Sequence, residues 1–207
     1  MTRIGLWLRV LLVALALVCT ATTGLAESPA NPRKVLLVVR GSNNIDLMLP
    51  RELVVMIDTL KMAGFQPIVA SLWGGDLVSR TVTVKSDLKF ASVRVSDYVA
   101  VVLPCMAAGE PGFIPDEAVK IAKDAAAAGK PIAAQRSGLY ILSKAGLLKG
   151  RTYAYPSNDF PEGTRGRDPV VRDGNIITAA FCPNSVLPTG QSDTTVAMIK
   201  KLIESLG

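Results

Sequence analysis

Histidine is absent from this sequence. That absence excludes Ser-His and Cys-His dyads and histidine-ligated zinc, and it leaves thiols and carboxylates as the side chains for any metal site. No metal and no cofactor is expected. Cysteine is scarce: Cys19, Cys105 and Cys182 are the three in 207 residues. Aromatic residues make up 5% of the chain, and no Lys/Arg block or aromatic-plus-basic stripe occurs, so nucleic acid is not the expected partner. The apolar run near the N-terminus, Val10–Val18, falls short of the about 20 residues that span a bilayer.

That run does carry the flanks of a secretory signal. Arg3 and Arg9 lie on its N-terminal side, and small residues follow it as far as Ala26. The expected organisation is a signal peptide over residues 1–26, a leader over 27–33 and one domain over 34–207, periplasmic or secreted, with no stable membrane insertion after cleavage. Val18 ahead of Cys19 argues against lipidation, which prefers a small residue there. Removing 26 of the 207 residues leaves 181, enough for one domain with a substantial core. The formal charge of +6 includes Arg3 and Arg9, so the mature chain keeps 21 basic and 17 acidic residues, a mild excess of +4. Export places Cys105 and Cys182 where disulfides persist, and their spacing leaves open whether their Cα atoms come within the about 7 Å a bridge allows.

The rest of the chain alternates aliphatic runs with amphipathic segments. Lys34–Val39 and Val99–Leu103 are continuous aliphatic runs, the pattern of strands buried on both faces. Pro67–Ser71, Pro131–Ala134 and Arg151–Tyr155 read as further strands, Thr81–Val84 as an edge strand, and Val170–Thr178 as a hairpin turning at Asp173-Gly174. Asn158–Asp168 reads as a polar loop. Helices are expected over Leu49–Ala63, with Pro50 in the first turn, over Asp116–Ala128, over Leu139–Ala145, and after Asp193 as cap, where Val196, Ile199, Leu202, Ile203 and Leu206 share a face. Alternation of this kind predicts an α/β fold: a three-layer α/β/α sandwich, flavodoxin-like, with a mostly parallel central sheet and ligands beyond the carboxyl ends of its strands.

The segment Gly129–Gly150 carries the expected site. A buried strand, a tight turn at Gln135-Arg136-Ser137-Gly138 and a helix make a nucleophile elbow, whose apex residue is driven toward positive φ and projects over the sheet. A catalytic Ser or Cys belongs at that apex, yet Arg136 and Ser137 stand there. No Gly-x-Ser-x-Gly surrounds Ser137 and no histidine exists to activate it, so capping the following helix is its plainer role.

Taken in order, KVLLVV, GSNNIDLMLPREL, AGFQPIVAS, DYVAVVLP, GKPIAA, SGLYILSKAGLLKGRTYAYPS and DGNIITA resemble the ThiJ/PfpI superfamily, relatives of the class I glutamine amidotransferase fold. The resemblance runs along nearly the whole mature chain and implies the fold above and, by analogy, a homodimer. Enzymes of that family resemble one another at three places: an apex Cys followed by His and Gly, an acidic residue in the loop after the first strand, and a Pro-Gly-Gly turn after the third strand that supplies oxyanion-hole amides. Here Arg136 and Ser137 replace the Cys and His, and Gly138 is kept. Pro104-Cys105-Met106 replaces the glycine turn, and Asp46 falls at the acidic position.

Arginine has no lone pair to attack with and keeps its charge at physiological pH. The first expectation is therefore a pseudoenzyme that has lost the family's cysteine chemistry and acts as a binding or stress-related protein. Arg136 then either pairs with Asp46 and closes the site, or holds a small anionic ligand among Ser137, Gly138, Asp46, Cys105 and Met106. The alternative is an amidase-like or glyoxalase-like enzyme in which Cys105 is a relocated thiol acting on a carbonyl ligand, with Arg136 lowering its pKa and Asp46 positioning a proton. The plainer role for Cys105 is a buried apolar residue or half of a disulfide. Cys182 is given no role beyond packing or pairing, and chaperone-like action rests on analogy alone.

Overall fold

Aliphatic runs without polar alternation build the centre of the sheet. The structure, a computed structural model, describes residues 32–42, 44–108 and 113–207. The expected signal peptide lies outside them. In chain order, β1 (Lys34–Val39) leads through α1 (Ile45–Met48), a π-helical turn at Leu49–Leu53 and α2 (Val54–Met62) to β2 (Gln66–Ser71). Three short strands, β3 (Leu77–Val78), β4 (Thr83–Val84) and β5 (Leu88–Lys89), precede β6 (Ala100–Leu103). Then come α3 (Asp116–Ala127), β7 (Ile132–Gln135), α4 (Leu139–Lys144), β8 (Thr152–Tyr153), β9 (Thr164–Arg165), the hairpin β10 (Val170–Asp173) with β11 (Ile176–Ala179), and α5 (Thr195–Ser205).

The main sheet has the order β10-β11-β7-β6-β1-β2-β5 and is parallel except for the antiparallel pair of β10 with β11. Side chains alternate across it with the period of two that a strand imposes. Leu36 and Val38 of β1 pack with Val101, Leu103 and Ile132 against Ile121 of α3 and Leu142 of α4. Val35, Leu37 and Val39 face the other way, onto Met56 and Leu60 of α2 and Met198, Ile199 and Leu202 of α5. This is the three-layer α/β/α arrangement expected. Burial of each such side chain contributes about 1.5–3 kcal/mol, so the layers hold the strand ends, and the loops they carry, in fixed register. Among the described residues no helix is long and apolar enough to cross a membrane.

Three local departures have physical reasons. The first helical stretch begins at Ile45, not Leu49, so Pro50 lies inside it. Proline offers no N–H and its ring crowds the preceding turn, and the wider π turn at Leu49–Leu53 accommodates both. The expected strand Arg151–Tyr155 shortens to β8, which pairs with β9 inside the stretch read as a loop. β5 is an outer strand of two residues, too short to show any periodicity.

Candidate functional site

The loops that follow β1, β6, β7 and β11 meet at the carboxyl end of the sheet, because these strands are parallel and adjacent in the order β11-β7-β6-β1. The elbow forms as expected: Gln135 ends β7, a 3-10 turn spans Arg136–Gly138 and α4 begins at Leu139. Arg136 has φ +48°, and it is the one non-glycine residue with positive φ among those described. Such a backbone costs of order 1–3 kcal/mol and persists where its surroundings enforce it. Gly138 shows the enforcement, since a Cβ there would stand 2.2 Å from the carbonyl oxygen of Leu103. The elbow is pressed against the end of β6, and only glycine fits.

Arg136 does not pair with Asp46. Its guanidinium lies over the ring of Tyr155, 4.6 Å from the centroid, and among the described residues no carboxylate lies within ion-pair distance of it. Asp46 is engaged elsewhere, with Oδ2 2.7 Å from Arg80 Nε and Oδ1 accepting the Arg80 N–H at 2.7 Å. It sits half-buried in the α1 turn and does not line the pocket. The carboxylate that does reach the site is Glu52, which sequence reasoning passed over. It is fully buried, and its two oxygens accept the backbone N–H groups of Cys105 at 2.7 Å and Met106 at 3.2 Å. Burial raises its pKa well above the ordinary value and the nearby Cys182 thiolate adds to this, while the two N–H donors act in the opposite sense. The legible signal was spacing: Met48, Glu52 and Met56 stand four apart, which places an acid on the buried stripe of a helix.

Met106 contributes its N–H to Glu52 and buries its side chain with α1 and α2, away from the pocket. Ser137 makes no helix cap; its Oγ lies 3.5 Å from Cys105 Sγ. Cys105 Sγ in turn lies 3.0 Å from Cys182 Sγ, and both residues are free thiols. Cys182 is held by a turn in which its N–H donates to Ser185 Oγ at 2.9 Å, with that hydroxyl 3.6 Å from the sulfur. Two further ties fix the loop: buried Gln135 donates from Nε2 to the Phe181 carbonyl at 2.6 Å, and Asn44 Nδ2 donates to Asn184 Oδ1 at 2.9 Å.

The two thiols perturb each other in opposite directions. Cys105 is pushed up by its hydrogen bond to Cys182, by burial and by the adjacent Glu52. Cys182 is pulled down to about 6 by the Cys105 hydrogen bond, opposed by burial and assisted by Ser185, the Asn184 backbone and the Arg136 charge. These influences favour ionisation at Cys182 over the expected Cys105. Both line a pocket of about 370 Å³ together with Arg136, Ser137, Tyr155 and Asp159. Glu52, Cys105 and Cys182 also bring three donor atoms within 4.8 Å of one another. Two thiolates on tetrahedral zinc stand about 3.8 Å apart, and here they are closer, while both Glu52 oxygens already hold N–H groups. The cluster as built suits sulfur chemistry better than metal coordination.

A family model described as DJ-1/PfpI family matches residues 33–187. A deglycase from Pyrococcus abyssi is 35% identical over 134 residues, which cover 62% of this chain and 81% of that protein. A ThiJ/PfpI domain protein from Brachyspira murdochii shares the fold with a TM-score of 0.64 at 20% identity, covering 85% of this chain and 98% of its own. Oxidized DJ-1 of Toxoplasma gondii matches with a TM-score of 0.61 at 28% identity, covering 85% and 91%. With the elbow, the sheet order and these matches in agreement, the chain belongs to the DJ-1/PfpI family.

Proposed function

We propose that this exported family member has given up elbow-cysteine chemistry and uses the same crevice to bind a small anionic ligand through Arg136. The observation that carries this is the strained apex itself: at φ +48° the backbone holds a guanidinium at the pocket wall, braced on Tyr155 and without a carboxylate partner among the described residues. A planar guanidinium so placed makes paired, charge-assisted hydrogen bonds to a carboxylate or phosphate. The occupation of the Cys105 and Met106 N–H groups by Glu52 supports the loss of the older chemistry, because amides so engaged are not free to hold an oxyanion. The test is thermal unfolding of the full chain in sulfate or acetate against chloride at equal ionic strength. An anion at 100 times its Kd stabilises by about 2.7 kcal/mol, a rise of roughly 5–10 °C for a domain of this size. Arg136→Ala removes that rise; an equal rise in the variant contradicts the proposal.

We propose as a second reading that Cys182, which lines the same pocket as Arg136 and whose thiol is shifted down, serves as a nucleophile. A thiolate beside an anion-binding arginine is suited to attack a small carbonyl compound bearing a carboxylate, and similarity to a deglycase supports an enzymatic role. Turnover of such a compound that survives Cys182→Ser contradicts it.

A further inference from the structure

Two thiols separated by 77 positions face each other across the elbow. We propose that Cys105 and Cys182 form a reversible dithiol–disulfide couple, which exchanges with small disulfides that carry a carboxylate. Their sulfurs, 3.0 Å apart, are already inside van der Waals contact, and about 1 Å of side-chain rotation separates them from a bond of about 2.05 Å. Neither carrier has to move far, since each is anchored on its own side. Glu52 holds the Cys105 backbone, and Gln135, Ser185 and Asn44 hold the turn around Cys182. Cys105, half-buried, and Cys182, buried, both line the 370 Å³ pocket, and Arg136 stands on the same wall.

The steps balance without a further reactant. The Cys182 thiolate attacks one sulfur of the small disulfide, forming a mixed disulfide and expelling the first thiolate, which takes up the Cys105 proton. Cys105 sulfur then attacks Cys182 Sγ, forming the internal disulfide and expelling the second thiolate, which is protonated by water. Overall the thiolate–thiol pair loses two electrons and the Cys105 proton, water supplies the second proton, and the small disulfide becomes two thiols. Selection of a carboxylate-bearing partner rests on the anion-binding role proposed above for Arg136; the couple itself does not.

The experiment treats the reduced full chain with glutathione disulfide, which carries carboxylates, or with neutral hydroxyethyl disulfide, and follows the mass of the intact protein and of its peptides. The wild type is expected to lose two hydrogens, to keep no adduct, and to yield a peptide pair joined through Cys105 and Cys182. Cys105→Ser stops at a mixed disulfide on Cys182. Arg136→Ala still closes the bridge but loses at least about tenfold in its preference for glutathione disulfide, the worth of one charged hydrogen bond. A lasting adduct on the wild type, or no joined peptide, overturns the couple. A joined peptide with an unchanged preference in Arg136→Ala overturns the substrate class and the anion role while leaving the couple in place.

Discussion

Glu52 is a carboxyl group buried without a cation, and the balance of the site turns on it. Its folded pKa is raised, chiefly by burial. The sign follows: its contribution to stability is present below its ordinary value of about 4.5 and is lost as pH rises through the folded value. Glu52→Gln removes this dependence. It also leaves the Met106 N–H facing an amide donor, a cost of about 1–3 kcal/mol near pH 4. The deficit of the variant is therefore expected to shrink as pH rises, and urea midpoints at stepped pH check it; a constant deficit contradicts the assignment. Cys182 acts oppositely. Its folded value is depressed, so its contribution is present above the ordinary value near 9 and is lost as pH falls through about 6. Cys182→Ser should thus lose stability relative to the wild type between pH 6 and 9, and parallel curves would exclude a folded-state thiolate. The sequence pointed to Asp46 because the family resemblance sets its acidic position in the loop after the first strand, whereas Glu52 lies farther on, within the helical stretch. The helical stretch begins at Ile45, and Glu52 lies on its buried stripe between Met48 and Met56.

At the scale of the element, the elbow was legible and its neighbours were not. A buried strand, a Gly-ended turn and a short helix are written in adjacent residues, so Ile132–Lys144 could be read directly. β5 and the β8–β9 pair consist of two-residue strands whose partners lie elsewhere in the chain, and no local pattern marks them. The elbow's geometry makes two stability predictions. Gly138→Ala drives a methyl group into the Leu103 carbonyl and is expected to cost about 3 kcal/mol or more, since backbone on both sides must give way. At the apex the order reverses: Arg136→Gly is expected to be about 1 kcal/mol more stable than Arg136→Ala, because glycine relieves the positive φ and alanine does not. Chemical denaturation of the three variants decides, and an Arg136→Ala protein at least as stable as Arg136→Gly contradicts an enforced left-handed apex.

For the whole molecule, the sheet order explains how the thiols meet. Cys105 follows β6 and Cys182 lies beyond β11, the strands on either side of β7, so the two loops converge over the elbow that rises between them. Nothing within a 77-residue separation announces that meeting in sequence; it comes from a crossover connection. Closing the bond removes chain entropy from the unfolded state, so the oxidised protein is expected to be more stable than the reduced by about 2–4 kcal/mol. For a domain of this size that raises Tm by roughly 10 °C, and calorimetry of the two forms checks it.

The most direct measurement compares iodoacetate with iodoacetamide on the reduced protein, with the alkylated sulfur located by peptide mass. The reagents differ by one negative charge, so their rate ratio reports whether Arg136 receives an anion beside the Cys182 thiolate. The prediction is alkylation at Cys182 in preference to Cys105, with an iodoacetate-to-iodoacetamide ratio about tenfold higher in the wild type than in Arg136→Ala, as one charged contact provides. A ratio unchanged by Arg136→Ala, or labelling that favours Cys105, would contradict a crevice rebuilt around Arg136 and Cys182.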